Sequence, residues 1–434
     1  MYDKILAVKG REILDSRGNP TVECELKTEC SLFNASVPSG ASTGTFEAFE
    51  LRDNSKEYAG KSVKKAAGNI SRVIAPKLKG MECTKQQKID SSMRRLDGTK
   101  NKSKLGANSI LAVSLACARA AAASQNKQLF EYLFELSALV ENKKSKAKLP
   151  KYYNMPIPLL NVINGGKHAG LDNDIQEHMV VPINVKSFSE ALRISAEVYH
   201  ELKALLKKSF GSSAMLIGDE GGFAPKELPN SEKRLEFISK AIANLGYQKN
   251  FAFALDCAAS EFFNKDLQKY KLGYRSYPSL EMIDYYKDLI SKFPIISIED
   301  PFHEEDWPSF SLFNKELGNN LQIVGDDLLA TNASRIKKAI SKKACNALLL
   351  KVNQIGTLTE SMQAANLAKN AKWNLIVSHR SGETEDAFIA DLSVALQSKF
   401  VKFGAPARTD RVCKYNQLLR IEEFLGNKAK YPKL

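Results

Sequence analysis

Several things are scarce in this chain, and each absence removes a class of protein. No uninterrupted apolar run approaches the roughly 18 residues of a membrane span, so no crossing helix is expected. The N-terminus, MYDKILAVKGREILDS, has no apolar signal core before its charges resume, which argues against secretion by that route. Seven cysteines stand at 24, 30, 83, 117, 257, 345 and 413, without a CxxC pair or a histidine at zinc spacing. They read as reduced, mostly buried thiols of a cytosolic protein. There is no fixed-period repeat and no low-complexity tract, which excludes a solenoid. What is present is ordinary for a globular protein: 44% apolar and 26% charged residues in 434, long enough for two domains. The net charge of +14 comes from lysines spread along the chain without interleaved aromatics. The densest groups, RRLDGTKNKSK (94–104) and NKKSKAKLPK (142–151), have loop composition. That pattern speaks against specific nucleic-acid binding and for a general attraction of anions, a phosphorylated substrate included.

The stretch NALLLKVNQIG (346–356) organises the rest. Leu348, Leu349 and Leu350 form a run too short and too continuous for an amphipathic helix, so it reads as a strand buried on both faces. Lys351 then stands where that strand opens into a loop. A single lysine there is ordinarily a snorkelling side chain. Its neighbours change the reading, because each is an apolar run ending in polar residues. They are FAFALD to Asp256, PIISIED to Glu299 and Asp300, LQIVGDD to Asp326 and Asp327, NLIVSHRSGE through Ser378 to Glu383, and KFVKFGAPAR around Lys402. Helical patterns at 281–292 and 334–340 lie between them, and strand ends recur at roughly the 30-residue spacing of an eight-stranded β/α barrel. Carboxylates at successive strand ends, interleaved with cations, describe a metal site facing an anionic substrate.

Taken in order, residues 4–37 alternate apolar and polar, predicting a hairpin or three-stranded meander with turns at SRGNP and near 31–34. PSGASTG (38–44) is a loop of small residues whose backbone can approach a ligand. From 57 to 136 the pattern is helical, and the alanine-rich 105–123 predicts an internal helix with Asn108 as its cap. The lysine- and proline-rich 141–158 marks a boundary. The expected domains are therefore 1–141, a small α+β unit carrying the 38–44 loop, and 142–434, the barrel with the site. LLNVINGGKHAG presents His168 among glycines, DIQEHMVVP puts Gln176 and Glu177 at the start of a strand, and 187–210 is an amphipathic helix. AMLIGDEGGFAP delivers Asp219 and Glu220 into a glycine turn, and 270–278 carries no pattern.

The motifs REILDSRGNPTVE (11–23), SGASTG (39–44), GDEGGFAP (218–225), SIEDPF (297–302), LLLKVNQIGT (348–357), SHRSGETED (378–386) and KYNQLLRIEE (414–423) together resemble the enolases, the phosphopyruvate hydratases of glycolysis and gluconeogenesis. The resemblance runs nearly the whole chain in the family's order. It implies an N-terminal α+β domain and a C-terminal barrel whose first units depart from regular β/α alternation. It further implies Mg²⁺-dependent, reversible dehydration of 2-phosphoglycerate to phosphoenolpyruvate in the cytoplasm, two Mg²⁺ per site, and a homodimer, with octamers as a variation. Position by position, the family's metal ligands fall on Asp256, Glu299, Asp326 and Ser39. Its base falls on Lys351 and its acid on Glu220, assisted by Glu177 and His168. Substrate contacts fall on Gln176, Glu177, His168, Lys351, His379, Arg380, Ser381 and Lys402.

That chemistry makes specific demands. A lysine serves as base only if it loses its proton near neutrality, so neighbouring Mg²⁺, Lys402 and Arg380 are expected to lower the pKa of Lys351. Glu220 can protonate a departing hydroxide only if it holds a proton, which Glu177 would favour. Lys167, Asp172 to Asp174, His178 and Phe403 depart from the family pattern, and the +14 charge is high for it. Two other readings remain: a related lyase for a different carboxylate, opposed by the set His379, Arg380, Ser381 and Lys402, and a non-catalytic scaffold, opposed by the intact acid, base and metal ligands.

Overall fold

The computed structural model describes residues 3–40, 44–141 and 148–434. Residues 41–43 of the expected lid and 142–147 at the expected domain boundary lie outside the described residues.

The meander forms as the alternation predicts. Strands β1 (Ile5–Leu14), β2 (Pro20–Thr28) and β3 (Leu32–Ser36) pair antiparallel in that order. The second turn comes slightly earlier than expected, at 29–31, closed by Thr28 N–H donating to the Ser31 carbonyl at 2.9 Å. Val22, Cys24 and Leu26 of β2 are fully buried under helix α1 (Ala107–Ser124). By length and composition this helix could cross a bilayer, but 83% of it is buried inside the fold, as expected of an internal helix. Its interrupting asparagine, serines and arginine are accommodated by packing. Asn108 is not its cap. It lies within the first turn, where its amide accepts from Leu51 N–H (3.2 Å) and donates to Leu51 O (3.1 Å). Gly106, at φ +94°, begins the helix instead.

Eight strands close the barrel: β4 (Ile157–Asn164), β5 (Glu177–Pro182), β6 (Phe251–Asp256), β7 (Ile295–Glu299), β8 (Gln322–Gly325), β9 (Ala347–Leu350), β10 (Asn374–Ser378) and β11 (Phe400–Lys402). All neighbours are parallel except that β5 runs antiparallel to both β4 and β6. Inward side chains including Leu159, Met179, Ala254, Leu349 and Ile376 fill the interior. Leu348 and Leu350 join the larger core outside, so the LLL run is buried on both faces as its continuity predicts. Burying each such leucine contributes roughly 1.5–3 kcal/mol.

The connecting helices match their patterns: Phe188–Phe210, capped by Ser187 accepting from Glu190 N–H, Ser279–Lys292 and Ala333–Lys342. Residues 212–225 form short turns with isolated bridges, and the unpatterned 270–278 belongs to a hairpin pairing Lys269–Leu272 with Arg275–Tyr277. Buried Asp90 of the N-terminal domain accepts from Thr359 N–H (3.0 Å) and Oγ1 (2.6 Å), and Arg119 pairs with Asp386 at 2.6 Å. These bonds hold the meander and its helices against the barrel.

Candidate active site

Strand direction brings the site together. In parallel strands the last residues share one rim, which delivers Asp256, Glu299, Asp326, Lys351, His379 and Lys402 to the same end. Because β5 is antiparallel, its first residue, Glu177, reaches that rim too and pairs across from Asp256. Every residue expected from the sequence lines a single pocket there except Glu299 and Ser39. Glu299 lies just beneath, 1% exposed and bonded to Lys402. Ser39 is pinned to Gly382 by reciprocal backbone bonds, with its hydroxyl held by Glu50 (3.0 Å) and Arg52 (2.9 Å).

Two lysines anchor the carboxylates. Lys402 Nζ lies 2.7 Å from Asp256, 2.9 Å from Glu299 and 3.0 Å from Glu177. Burial acts to lower its pKa, but these three acids outweigh burial and raise it well above the ordinary value. Lys351 Nζ donates to Asp326. The expected lowering of Lys351 counts a bound Mg²⁺ together with Arg380 and Lys402. Burial, Arg380 and Lys402 act downward on Lys351 as expected, but the Asp326 carboxylate in direct contact raises the balance.

Beside them His168, Glu177 and Glu220 converge, their ligand atoms within 4.8 Å of one another. His168 Nδ1 lies 3.6 Å and His379 Nε2 3.4 Å from Glu220 Oε1, and Asn161 Nδ2 donates to Glu220 Oε2 at 3.1 Å. The proton was expected on Glu220. Burial and the facing Glu220 carboxylate instead push Glu177 well above the carboxylate range. Burial opposes ionising Glu220 as well, but the two imidazoles and Lys402 bring it well below.

Sequence reasoning missed several contributors. Arg411, fully buried, donates to His379 Nδ1 (2.5 Å), Arg380 O (2.5 Å), Asp219 O (3.2 Å) and Ser381 O. It makes Nδ1 the acceptor and so leaves Nε2–H facing Glu220. Asp300, in a left-handed conformation (φ +41°), accepts from Asp326 N–H (3.1 Å) and Asp327 N–H (2.6 Å), and with those two forms a second converging acidic set. Burial and Asp326 push Asp327 up to about 8. The signal for Asp300 and Asp327 was their place beside the strand-end acids; Arg411 offered none.

The residues fit bound divalent cations. Eight carboxylates line the pocket against four lysine and arginine side chains. Among the described residues, buried Glu177 Oε2 and Glu299 Oε2 have no hydrogen-bond partner. Hard oxygen donors in such excess suit a cation like Mg²⁺. The departures from the family pattern leave these groups in place: Lys167 pairs with Glu261, Asp174 with buried Arg234 at 2.6 Å, and Phe403 packs 5.8 Å from Tyr415. Asp172 is exposed. His178 is buried with neither ring nitrogen bonded, and burial followed by Arg234 lowers its pKa well below the ordinary value.

Comparison with known proteins agrees with this architecture. Residues 152–433 match the model of the enolase C-terminal TIM barrel domain and residues 5–133 that of the enolase N-terminal domain. An enolase of Thermococcus gammatolerans is 53% identical over 431 residues, covering 99% of this chain and 97% of the relative. That of Pyrococcus furiosus is 53% identical over 430 residues (99% and 96%), and that of Methanopyrus kandleri 51% over 431 (99% and 97%). Two family models spanning the barrel and the meander domain, with half of all positions shared along the whole length, make this chain a member of the enolase family and an enzyme of the hydro-lyase class.

Proposed function

We propose that this chain catalyses the reversible, Mg²⁺-dependent dehydration of 2-phospho-D-glycerate to phosphoenolpyruvate, as a cytoplasmic homodimer. Asp256, Glu299 and Asp326, with the Ser39 hydroxyl turned from Glu50, would hold two Mg²⁺. Mg²⁺ held there would supply positive charge at the substrate carboxylate and would compete with Lys351 for the Asp326 carboxylate.

The neutral Lys351 amine takes the proton from C2, next to the carboxylate. The electron pair left behind forms the C2–C3 double bond as hydroxide leaves C3. Glu220 delivers the proton that turns this hydroxide into water, and Glu177, within 4.8 Å, is its store. His168 and His379 sit against Glu220 and orient it. Arg380 offers a planar fork to the phosphate, with His379 and Ser381 beside it. Gln176, hydrogen-bonded to Asp256 at 3.3 Å, and the fixed cation Lys402 hold the carboxylate end.

One observation carries this reading: base, proton-holding pair and phosphate fork line one acid-rich pocket. The test is ultraviolet absorbance of phosphoenolpyruvate formed from 2-phosphoglycerate, with Mg²⁺ and with a chelator. Absorbance that rises only with Mg²⁺ supports it. Folded protein that gives none with Mg²⁺ sinks it and favours a scaffold.

A further inference from the structure

We propose that Glu47 is an internal counter-anion seated on the guanidinium of Arg380, which the anionic group of a substrate must displace, so that this carboxylate sets the anion affinity of the site. The inference rests on the reading of Arg380 as the phosphate seat.

The segment around Glu47 is fastened on both sides. Thr45 Oγ1 bonds Glu304 at 3.2 Å, and the Phe46 ring lies 3.7 Å from the guanidinium carbon of Arg335. Ala48 N–H donates to Gln354 O and Phe49 N–H to Asn101 O, both at 2.7 Å. The backbone is thus fixed while the Glu47 side chain points into the pocket. There Arg380 Nη1 meets Oε2 at 3.0 Å and Nη2 meets Oε1 at 3.1 Å. This two-pronged pairing is the one a phosphate makes with a guanidinium. Both partners are buried, with side chains 6% and 7% exposed.

A buried guanidinium without a counter-anion is costly, and Glu47 supplies one. A phosphate on the same edge would lie about 3 Å from the carboxylate, and two anions at that distance repel strongly. Glu47 therefore rotates away about its own side-chain torsions while Phe46 and Ala48 hold the backbone. Displacement also discriminates. A phosphate dianion outcompetes a resident carboxylate on the guanidinium, whereas a second carboxylate gains little by the exchange.

The test is calorimetric titration of the full chain with inorganic phosphate, for wild type, Glu47→Gln and Arg380→Gln. Removing the resident charge should tighten phosphate binding about tenfold, as removing an occluded state does, and lower the KM for 2-phosphoglycerate. Arg380→Gln should weaken it. Unchanged or weaker binding in Glu47→Gln, with Arg380→Gln also weakened, overturns the inference and leaves Glu47 a mere orienter of the fork. Wild-type binding in Arg380→Gln refutes the phosphate seat itself. Should Glu47→Gln fail to fold, Glu47→Asp, too short to hold both prongs, should also bind phosphate more tightly, and no gain there overturns the proposal equally.

Discussion

Arg411→Met tests how the loop carrying Arg380 and Ser381 is held. The substitution keeps an apolar stem of similar length in a fully buried position and removes the guanidinium. Four acceptors lose a donor: His379 Nδ1, Arg380 O, Ser381 O and Asp219 O. At about 1 kcal/mol for each bond lost, the variant should be about 4 kcal/mol less stable. Freed from Arg411, the His379 imidazole no longer has a fixed tautomer, and the loop carrying Arg380 and Ser381 loosens. If about 2.7 kcal/mol of the loss appears in the transition state, kcat/KM falls about a hundredfold. Arg411→Lys reaches one acceptor at a time and should recover only part. The assays are thermal unfolding and the rate of phosphoenolpyruvate formation. Wild-type kcat/KM in Arg411→Met, at saturating Mg²⁺, would show that the loop holds itself and refute the reasoning.

Lys351→Ala should abolish exchange of the C2 proton of 2-phosphoglycerate with solvent, whereas Glu220→Gln should block dehydration yet leave that exchange measurable by NMR. Equal loss of exchange in both contradicts the division of roles. Because acids outnumber lysine and arginine in the pocket, Mg²⁺ at a hundred times its dissociation constant should stabilise the protein by about 2.7 kcal/mol. Scanning calorimetry with and without chelator reads this as a rise of a few degrees in Tm. Cys30 is exposed and Cys413 half-buried, while Cys24, Cys83, Cys117, Cys257 and Cys345 are buried. A thiol reagent should therefore titrate Cys30 fast and Cys413 slowly, and the other five only after denaturation; fast reaction of all seven would contradict the packing.

What the sequence made legible follows from local rules. A parallel strand passes through the core as an apolar run and ends at the rim in polar residues, so Asp256, Glu299, Asp326, Lys351 and Lys402 announce themselves. Arg411 and Glu47 do not. Each reaches the site from an element whose own pattern serves packing or a loop, and only the closed fold shows what it touches. The contacts that set the balance at Lys351 were less legible for the same reason. The cations near Lys351 could be guessed from neighbouring strand ends, but the contact with Asp326 is a matter of side-chain geometry. Asn108 looked like a cap because polar residues before apolar runs generally are. The hydrogen bonds to Leu51, 57 residues away, are a tertiary claim on the same amide.

The departure from regular alternation in the barrel is what brings Glu177 to the rim that carries Asp256. Had β5 run parallel to its neighbours, Glu177 would begin at the far rim, the full length of Glu177–Pro182 from Asp256. At about 3.3 Å per residue those five steps come to roughly 17 Å. Reversed, Glu177 sits opposite Asp256 in the ladder, and the loop from Asn164 to Gln176 returns His168 to the same end. Gly165 permits the return: a Cβ there would lie 2.2 Å from Ile175 O and 2.5 Å from Arg234 Nη1. The antiparallel strand thus brings Glu177, His168 and Glu220 to face the lysines of the parallel strands. Glu177, His168 and Glu220 thereby share one pocket with Lys351 and Lys402, and the topology of the first barrel units is a condition of that arrangement.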